Sequence, residues 1–275
     1  MDHVHTAGLQ IAVLVKYVPD AQFDRHIDVG TLTTQRSESI LSELDEYALE
    51  AALQLVEQHG AHEAGHRITA LTMGEPTALS AVKKALQIGA DEGVLLTDPA
   101  LRGSDAAATS LALAALLREC GPFDLVLTGM ASTDGETSLV PAQLAERLDL
   151  PQVTFAASLD LTAGSDGWSL TATRDGDTHL ETLQTDLPAV VSVTDQINEP
   201  RYPNFKGIMA AKKKPLRTLS LAEIGVAPET VGHSGSWTEV VEASARPPRS
   251  HGTVLIDEGN AGIQLVDFLA AQKLL

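Results

Sequence analysis

The sequence predicts an α/β protein: a mostly parallel sheet with helices on both faces, a small antiparallel extension and a C-terminal arm. Three observations lead to it. Between residues 9 and 150, four short apolar runs are each followed by an amphipathic or Ala/Leu-rich stretch, the alternation that builds parallel sheets. After residue 150 that alternation stops, and two strand-like runs flank Asp175-Gly176-Asp177. From about residue 215 periodicity is lost until an amphipathic run at the end of the chain.

The elements follow in order. Residues 9–15, LQIAVLV, read as a buried strand. Residues 42–58 read as a helix, because Leu44, Tyr47, Ala48, Ala51, Ala52, Leu55 and Val56 share one face at the 3.6 period. Ser42, with Asp45 three residues on, suits its N-cap. Residues 68–73 form the next strand. Gly74 turns the chain, Pro76 suits a first helical turn, and Gly89 suits the stop after Ile88. Residues 93–97 and 125–128 read as strands, followed by helices over 105–120 and 138–148. Right-handed crossovers then place the strand carboxyl ends along one edge, where such sheets bind ligands. Residues 169–174 and 179–185 pair antiparallel, and 189–193 is a short buried strand. Residues 215–250, with Pro247-Pro248, form an extended excursion; 263–275 form a helix anchored by Ile263, Val266, Phe268, Leu269 and Leu274. The division expected is a nucleotide-binding body over 1–214 and an arm over 215–275.

Composition narrows the function. A net charge of -18 argues against nucleic acid and anionic lipid as partners. Aromatics make up only 4% of the chain, so the core must be built from Ala, Val, Leu and Ile. The single cysteine, Cys120, rules out a disulfide within the chain and reads as a small apolar residue. No apolar run reaches the roughly 18 residues of a membrane span, so the expectation is a cytoplasmic chain without membrane insertion. His3 and His5 fall in the N-terminal tail. His59, His62 and His66 cluster between a helix and a strand, and read as a loop that tolerates His rather than a metal site. No GxSxG, HExxH or Cys/His pairing occurs, so the chain reads as lacking bond chemistry of its own.

Two segments carry chemistry. The run GMASTDGETS, Gly129 through Ser138, follows the apolar strand DLVLT. Its glycines, the hydroxyls of Ser132, Thr133 and Thr137, and amides ahead of a helix suit a phosphate, although an ordinary β–α loop has the same composition. Asp134 and Glu136 would repel phosphate and are expected to face ribose, base, solvent or a metal. The second segment, RYPNFKGIMAAKKKPLRTL from Arg201, carries six basic residues and no acidic one in a chain with 37 acidic residues. Tyr202, Phe205, Ile208 and Met209 beside Lys206, Lys212, Lys213 and Lys214 suit docking on an acidic protein surface; a solvated basic turn is the alternative.

LVKYVPD, MGEP, ALQIGAD, G-x-x-STDG-x-T, LPAVVSV, INEPRYPNFKGIMAAKKKPL and the final AAQKLL together resemble the electron transfer flavoprotein beta-subunit family, over essentially the whole chain. The resemblance implies a Rossmann-like, adenine-nucleotide-hydrolase-like fold. It implies a heterodimer with an alpha subunit that holds most of an FAD, an AMP buried structurally in the beta subunit, and an arm docked on the alpha subunit. Electrons would come from flavin dehydrogenases such as acyl-CoA dehydrogenases and pass to a membrane ETF-quinone oxidoreductase. By position it assigns nucleotide contacts to Leu14, Val15, Lys16, Ser42, Glu43, Leu44, Asp45, Met73, Gly129, Met130, Ala131, Ser132, Thr133, Asp134, Gly135, Glu136, Thr137 and Ser138. It makes the basic segment, about residues 198–214, a recognition loop whose apolar anchor is Phe205. Ala21 stands where some relatives have a flavin-proximal tyrosine, and Met130 where some have Lys or Gln. Lysines methylated in some relatives correspond to Ala210 and Lys213. Two other readings are an electron-bifurcating variant with a second FAD in the AMP site, oxidising NADH, and a stand-alone module resembling universal-stress-type proteins.

Overall fold

Gln10–Leu14 (β1) starts the chain's central sheet in a computed structural model that describes residues 8–165, 167–244, 247 and 252–275. His3, His5 and parts of the extended excursion lie outside the described residues. Two short antiparallel ribbons come next: Tyr17–Pro19 (β2) pairs with Ser39–Leu41 (β5), and Ile27–Asp28 (β3) with Thr33–Thr34 (β4). The chain then alternates helix and strand through Glu43–Gln58 (α1), Arg67–Met73 (β6), Leu79–Ile88 (α2), Glu92–Leu96 (β7), Ala106–Cys120 (α3), Leu125–Gly129 (β8), Val140–Leu148 (α4) and Gln152–Ala156 (β9). Ser158–Gly164 (β10), Gly167–Asp175 (β11) and Leu180–Asp186 (β12) form an antiparallel sheet. Ala189–Val193 (β13), Phe205–Ala211 (α5), Leu216–Leu219 (β14) and Gly232–Gly235 (α6) complete the first compact unit, which runs through Val241.

The main sheet has seven strands in the order β14-β7-β6-β1-β8-β13-β9, and every pairing is parallel. Its strands are nearly continuous apolar runs because both faces are covered. Successive β1 side chains serve opposite cores. Ile11 and Val13 pack with Ala48, Leu49 and Ala52 of α1 and Ala81 and Ala85 of α2. Ala12 and Leu14 pack with Ala112, Leu113 and Leu116 of α3 and Leu144 of α4. The alanines let helices approach the sheet closely, which is how a chain poor in aromatics fills its interior.

Several sequence expectations need correcting. The antiparallel sheet has three strands, not two. The additional strand, β10, alternates Leu159, Leu161 and Ala163 with polar residues, and of these only Leu161 is buried. The body does not end at residue 214: β14 pairs with β7 as the seventh strand, and the compact unit reaches Val241. Leu216–Leu219 is too short to announce itself. The helix expected from residue 138 starts at Val140, because Glu136 and Ser138 have φ of 50° and 52°, which helical turns exclude. Ser42 holds the N-cap position of α1 by backbone, but its hydroxyl makes no capping bond. His66 lies in the loop before β6 as expected, but it is more than tolerated there: it is 2% exposed, its Nδ1 accepts from the Leu9 amide at 2.8 Å and its Nε2 bonds the His59 carbonyl at 2.9 Å. Cys120 lies half-buried at the end of α3, where burial pushes its thiol up.

The second unit, Glu242–Leu275, contains one helix among its described residues, Ala261–Ala271 (α7), none of whose side chains is buried. Ile263 is 69% exposed and Val266 54%. No helix of the described residues is long and apolar enough to cross a membrane.

Candidate functional site

Strand β1 has β6 on one side and β8 on the other. From β1 the chain moves outward through β6 and β7; it then returns to β8, goes the other way to the edge strand β9, and later fills the gap between them with β13. The direction of winding therefore reverses between β1 and β8, and a crevice opens at their carboxyl ends. Lys16, the first turn of α1 and the loop from Gly129 to Ser138 meet there.

Asp45 joins the three. Its carboxylate accepts the Lys16 amide at 2.7 Å and also the Gly129 amide. Only 7% exposed, it titrates near 7, because burial raises it further than those amides and the Lys16 charge lower it. A Cβ on Gly129 would lie 2.7 Å from both the Leu44 carbonyl and Asp45 Oδ1, so only glycine lets β8 pass the start of α1 this closely. The Ser42 amide donates to the Lys16 carbonyl at 2.9 Å, while the Ser42 hydroxyl is fully buried without a partner.

The loop is shaped from within. The Ser132 hydroxyl accepts the Gly135 amide at 3.2 Å, and the Ser132 carbonyl accepts the Glu136 amide at 2.9 Å. Asp134 is neither aimed at solvent nor available to a metal. Its side chain is 3% exposed, with Oδ1 2.7 Å from Lys16 Nζ and Oδ2 2.5 Å from Arg36 Nη2. Burial pushes its carboxyl up, but Lys16 and Arg36 prevail and hold it below the ordinary carboxylate range. Two cations face one carboxylate, so this cluster keeps a formal excess of one positive charge. Glu136 is exposed, 3.8 Å from Arg25. Helix α4 opens without a side-chain cap, so its first-turn amides are unclaimed by side chains at the loop's end.

Of the residues assigned to the nucleotide by position, the structure groups Lys16, Ser42, Leu44, Asp45 and the 129–138 loop at one place. Leu14 and Val15 are buried beneath it. Met73 ends β6, one strand away from β1. Glu43 opens α1. Arg36 was not foreseen: it lies in the aperiodic stretch of 17–41, where no spacing marks it.

The basic segment divides. Tyr202 is 89% exposed and Phe205 80%, with Ile208 and Met209 also exposed. Phe205 does not sit in a turn; it opens the short helix α5, capped by Asn204, whose Oδ1 accepts the Gly207 amide at 2.8 Å. Lys206, Lys212 and Lys213 are exposed. Lys214 is not a docking cation: its half-buried Nζ donates to the carbonyls of Leu86, Gly89 and Ala90 at 3.0, 3.1 and 2.6 Å, closing the end of α2. Burial lowers its pKa. Arg201 likewise turns inward, bonding Glu50 and Glu57. Glu50 and Glu57 are seven residues apart and so share one face of α1, a signal the sequence did contain.

A family model described as electron transfer flavoprotein domain matches residues 29–224. The chain is 42% identical over 267 residues to the electron transfer flavoprotein subunit beta of Mycobacterium tuberculosis, covering 96% of this chain and 99% of that one. It is 32% identical over 279 residues to the protein of the same name from Megasphaera elsdenii, covering 97% and 100%. It is 33% identical over 249 residues to the caffeyl-CoA reductase-Etf complex subunit CarD of Acetobacterium woodii, covering 90% and 92%.

Proposed function

The chain belongs to the electron transfer flavoprotein beta-subunit family, and from that premise we propose that it pairs with an alpha subunit, holds AMP in the crevice between β1 and β8, and helps that subunit carry electrons on FAD. The electron donors in this reading are flavin dehydrogenases such as acyl-CoA dehydrogenases, and the acceptor is a membrane ETF-quinone oxidoreductase. The observation that carries the nucleotide assignment is the fully buried Ser42 hydroxyl without a partner, set where the sheet reverses direction. A buried hydroxyl left unmade costs about 1–3 kcal/mol, which a ligand hydrogen bond removes.

The residues fit a monophosphate nucleotide. Lys16 and Arg36, half neutralised by Asp134, offer charge to a phosphate; the amides of the 129–138 loop and of α4 offer donors. Asp134, spent on those cations, sets the loop rather than binding ligand. FAD, held mainly by the alpha subunit, supplies the redox chemistry, and this chain is proposed as a carrier subunit without substrate chemistry of its own. Exposed Phe205 and Tyr202, with Lys206, Lys212 and Lys213, suit contact with an acidic dehydrogenase surface. The apolar stripe of α7 suits the alpha subunit.

A second FAD in place of AMP is the other reading, favoured by the similarity to CarD, a subunit of a caffeyl-CoA reductase-Etf complex. Co-purification with an alpha subunit, followed by acyl-CoA dehydrogenase-dependent reduction of the bound flavin, tests the reading. A purified pair without flavin, or flavin that no such dehydrogenase reduces, would overturn it.

A further inference from the structure

Helix α5 carries the exposed aromatic Phe205, yet none of its own residues is buried. Its core contact is the partly buried Ala211 at its last turn, and a seven-residue helix so lightly held does not keep one orientation by itself. Polar attachments on both flanks hold it here. Ahead of it, Arg201 grips α1: Nε and Nη2 donate to Glu50 Oε2 and Oε1 at 2.7 and 3.0 Å, and Nη1 and Nη2 to Glu57 Oε1 and Oε2 at 2.6 and 3.0 Å. The Asn198 side-chain amide adds a bond to the Tyr47 carbonyl at 3.0 Å. Behind it, Lys214 caps the end of α2 through three carbonyls. Between these points Gly207 presses on α2 so closely that a Cβ would lie 2.5 Å from the Gln87 carbonyl.

Glu50 is 3% exposed, so a buried carboxylate depends on Arg201 for its compensation. The fork-to-fork geometry also fixes the direction in which the chain leaves α1, which a lysine at this position does not reproduce.

We propose that Arg201 and Lys214 are positioning residues for the electron-donating flavin dehydrogenase: two polar pins, on α1 and α2, that hold α5 so that Phe205 and Tyr202 stand ready as a preformed contact. The inference rests on the reading of α5 as the dehydrogenase-facing surface. The pins contribute pre-organisation, so their loss weakens docking without touching the flavin.

The test uses the FAD-loaded heterodimer with an acyl-CoA dehydrogenase. Arg201→Lys, Lys214→Met, Phe205→Ala and the two doubles with Phe205→Ala are compared for KM, kcat, FAD content and reduction by dithionite. Truncating an aromatic anchor is expected to raise KM about tenfold. Each pin variant is expected to raise KM by a similar factor with kcat, FAD content and dithionite reduction unchanged. In the doubles KM should rise much less than the product of the single effects, because a displaced helix no longer presents Phe205. Pin variants with wild-type KM, or doubles equal to the product, would overturn the positioning role while leaving α5 as the contact. A Phe205→Ala variant with wild-type KM would overturn the contact itself, and the positioning role with it.

Discussion

Asp45 makes the stability of this chain depend on pH in a direction opposite to that of most carboxylates. In the folded chain it titrates near 7, whereas an unfolded aspartate titrates near about 3.9. Between those values the folded state holds a proton that the unfolded state has released. Stability therefore falls as pH rises through this window, and the raised group adds most to the fold below it. A rise of about three pH units corresponds to about 4 kcal/mol at ~1.4 kcal/mol per unit, spread between about pH 4 and pH 7. Asp45→Asn removes the titration but keeps one acceptor for the two amides of Lys16 and Gly129. Leaving one buried amide unpaired costs about 1–3 kcal/mol at any pH. The variant should thus be about as stable as the natural chain or less stable at pH 5, where the natural chain has already lost about 1.5 kcal/mol, and more stable by about 1–3 kcal/mol at pH 8. Urea unfolding of both proteins at pH 5, 6, 7 and 8, with nucleotide held constant, reads the difference. Parallel curves, with the same gap at every pH, would refute the argument and place an ordinary ionised carboxylate at the crevice.

Other predictions concern the loop, the helix and the arm. Ser132→Ala with Thr133→Val should release nucleotide and lower the melting temperature, since a ligand bound only to the folded state stabilises it; flavin reduction should persist, and its loss with FAD still bound would refute a structural role for AMP. Neutralising Lys212 and Lys213 should slow electron transfer more at low salt than at high salt, and a rate independent of ionic strength would make them idle surface charge. Deleting residues 255–275 should weaken assembly with the alpha subunit, and unchanged co-elution on a sizing column would count against α7 as a contact.

The parallel sheet was legible because both its faces are covered. Runs such as IAVL in β1 and AVV in β13 then carry no polar residue that would blur them. Strand β10 did carry a period-2 signal, Leu159, Leu161 and Ala163 alternating with Ser158, Asp160 and Thr162, but a run this short with one buried side chain is easily passed over. Strand β14 was lost inside a basic run whose charges suggested a loop.

At the site, the GMASTDGETS loop announced itself by composition, and Ser42 and Asp45 entered by resemblance. Their physical roles did not show, because they depend on partners far away in sequence. Asp134 looked like a repelling acid until Lys16 and Arg36 closed on it from 118 and 98 residues away. Lys214 looked like part of a basic patch until three carbonyls at the end of α2 claimed it. A residue's charge is written in the sequence; whether that charge faces a partner protein or a helix end is decided by the fold.

A mononucleotide in the crevice between β1 and β8 is decided by the nucleotide content of the purified heterodimer. Acid extraction followed by quantitative chromatography should yield one FAD and one AMP per heterodimer, with the Ser132→Ala, Thr133→Val protein retaining the FAD and losing the AMP. One FAD and no further adenine nucleotide would contradict the claim, and two FAD without AMP would contradict the mononucleotide and favour the second-flavin reading.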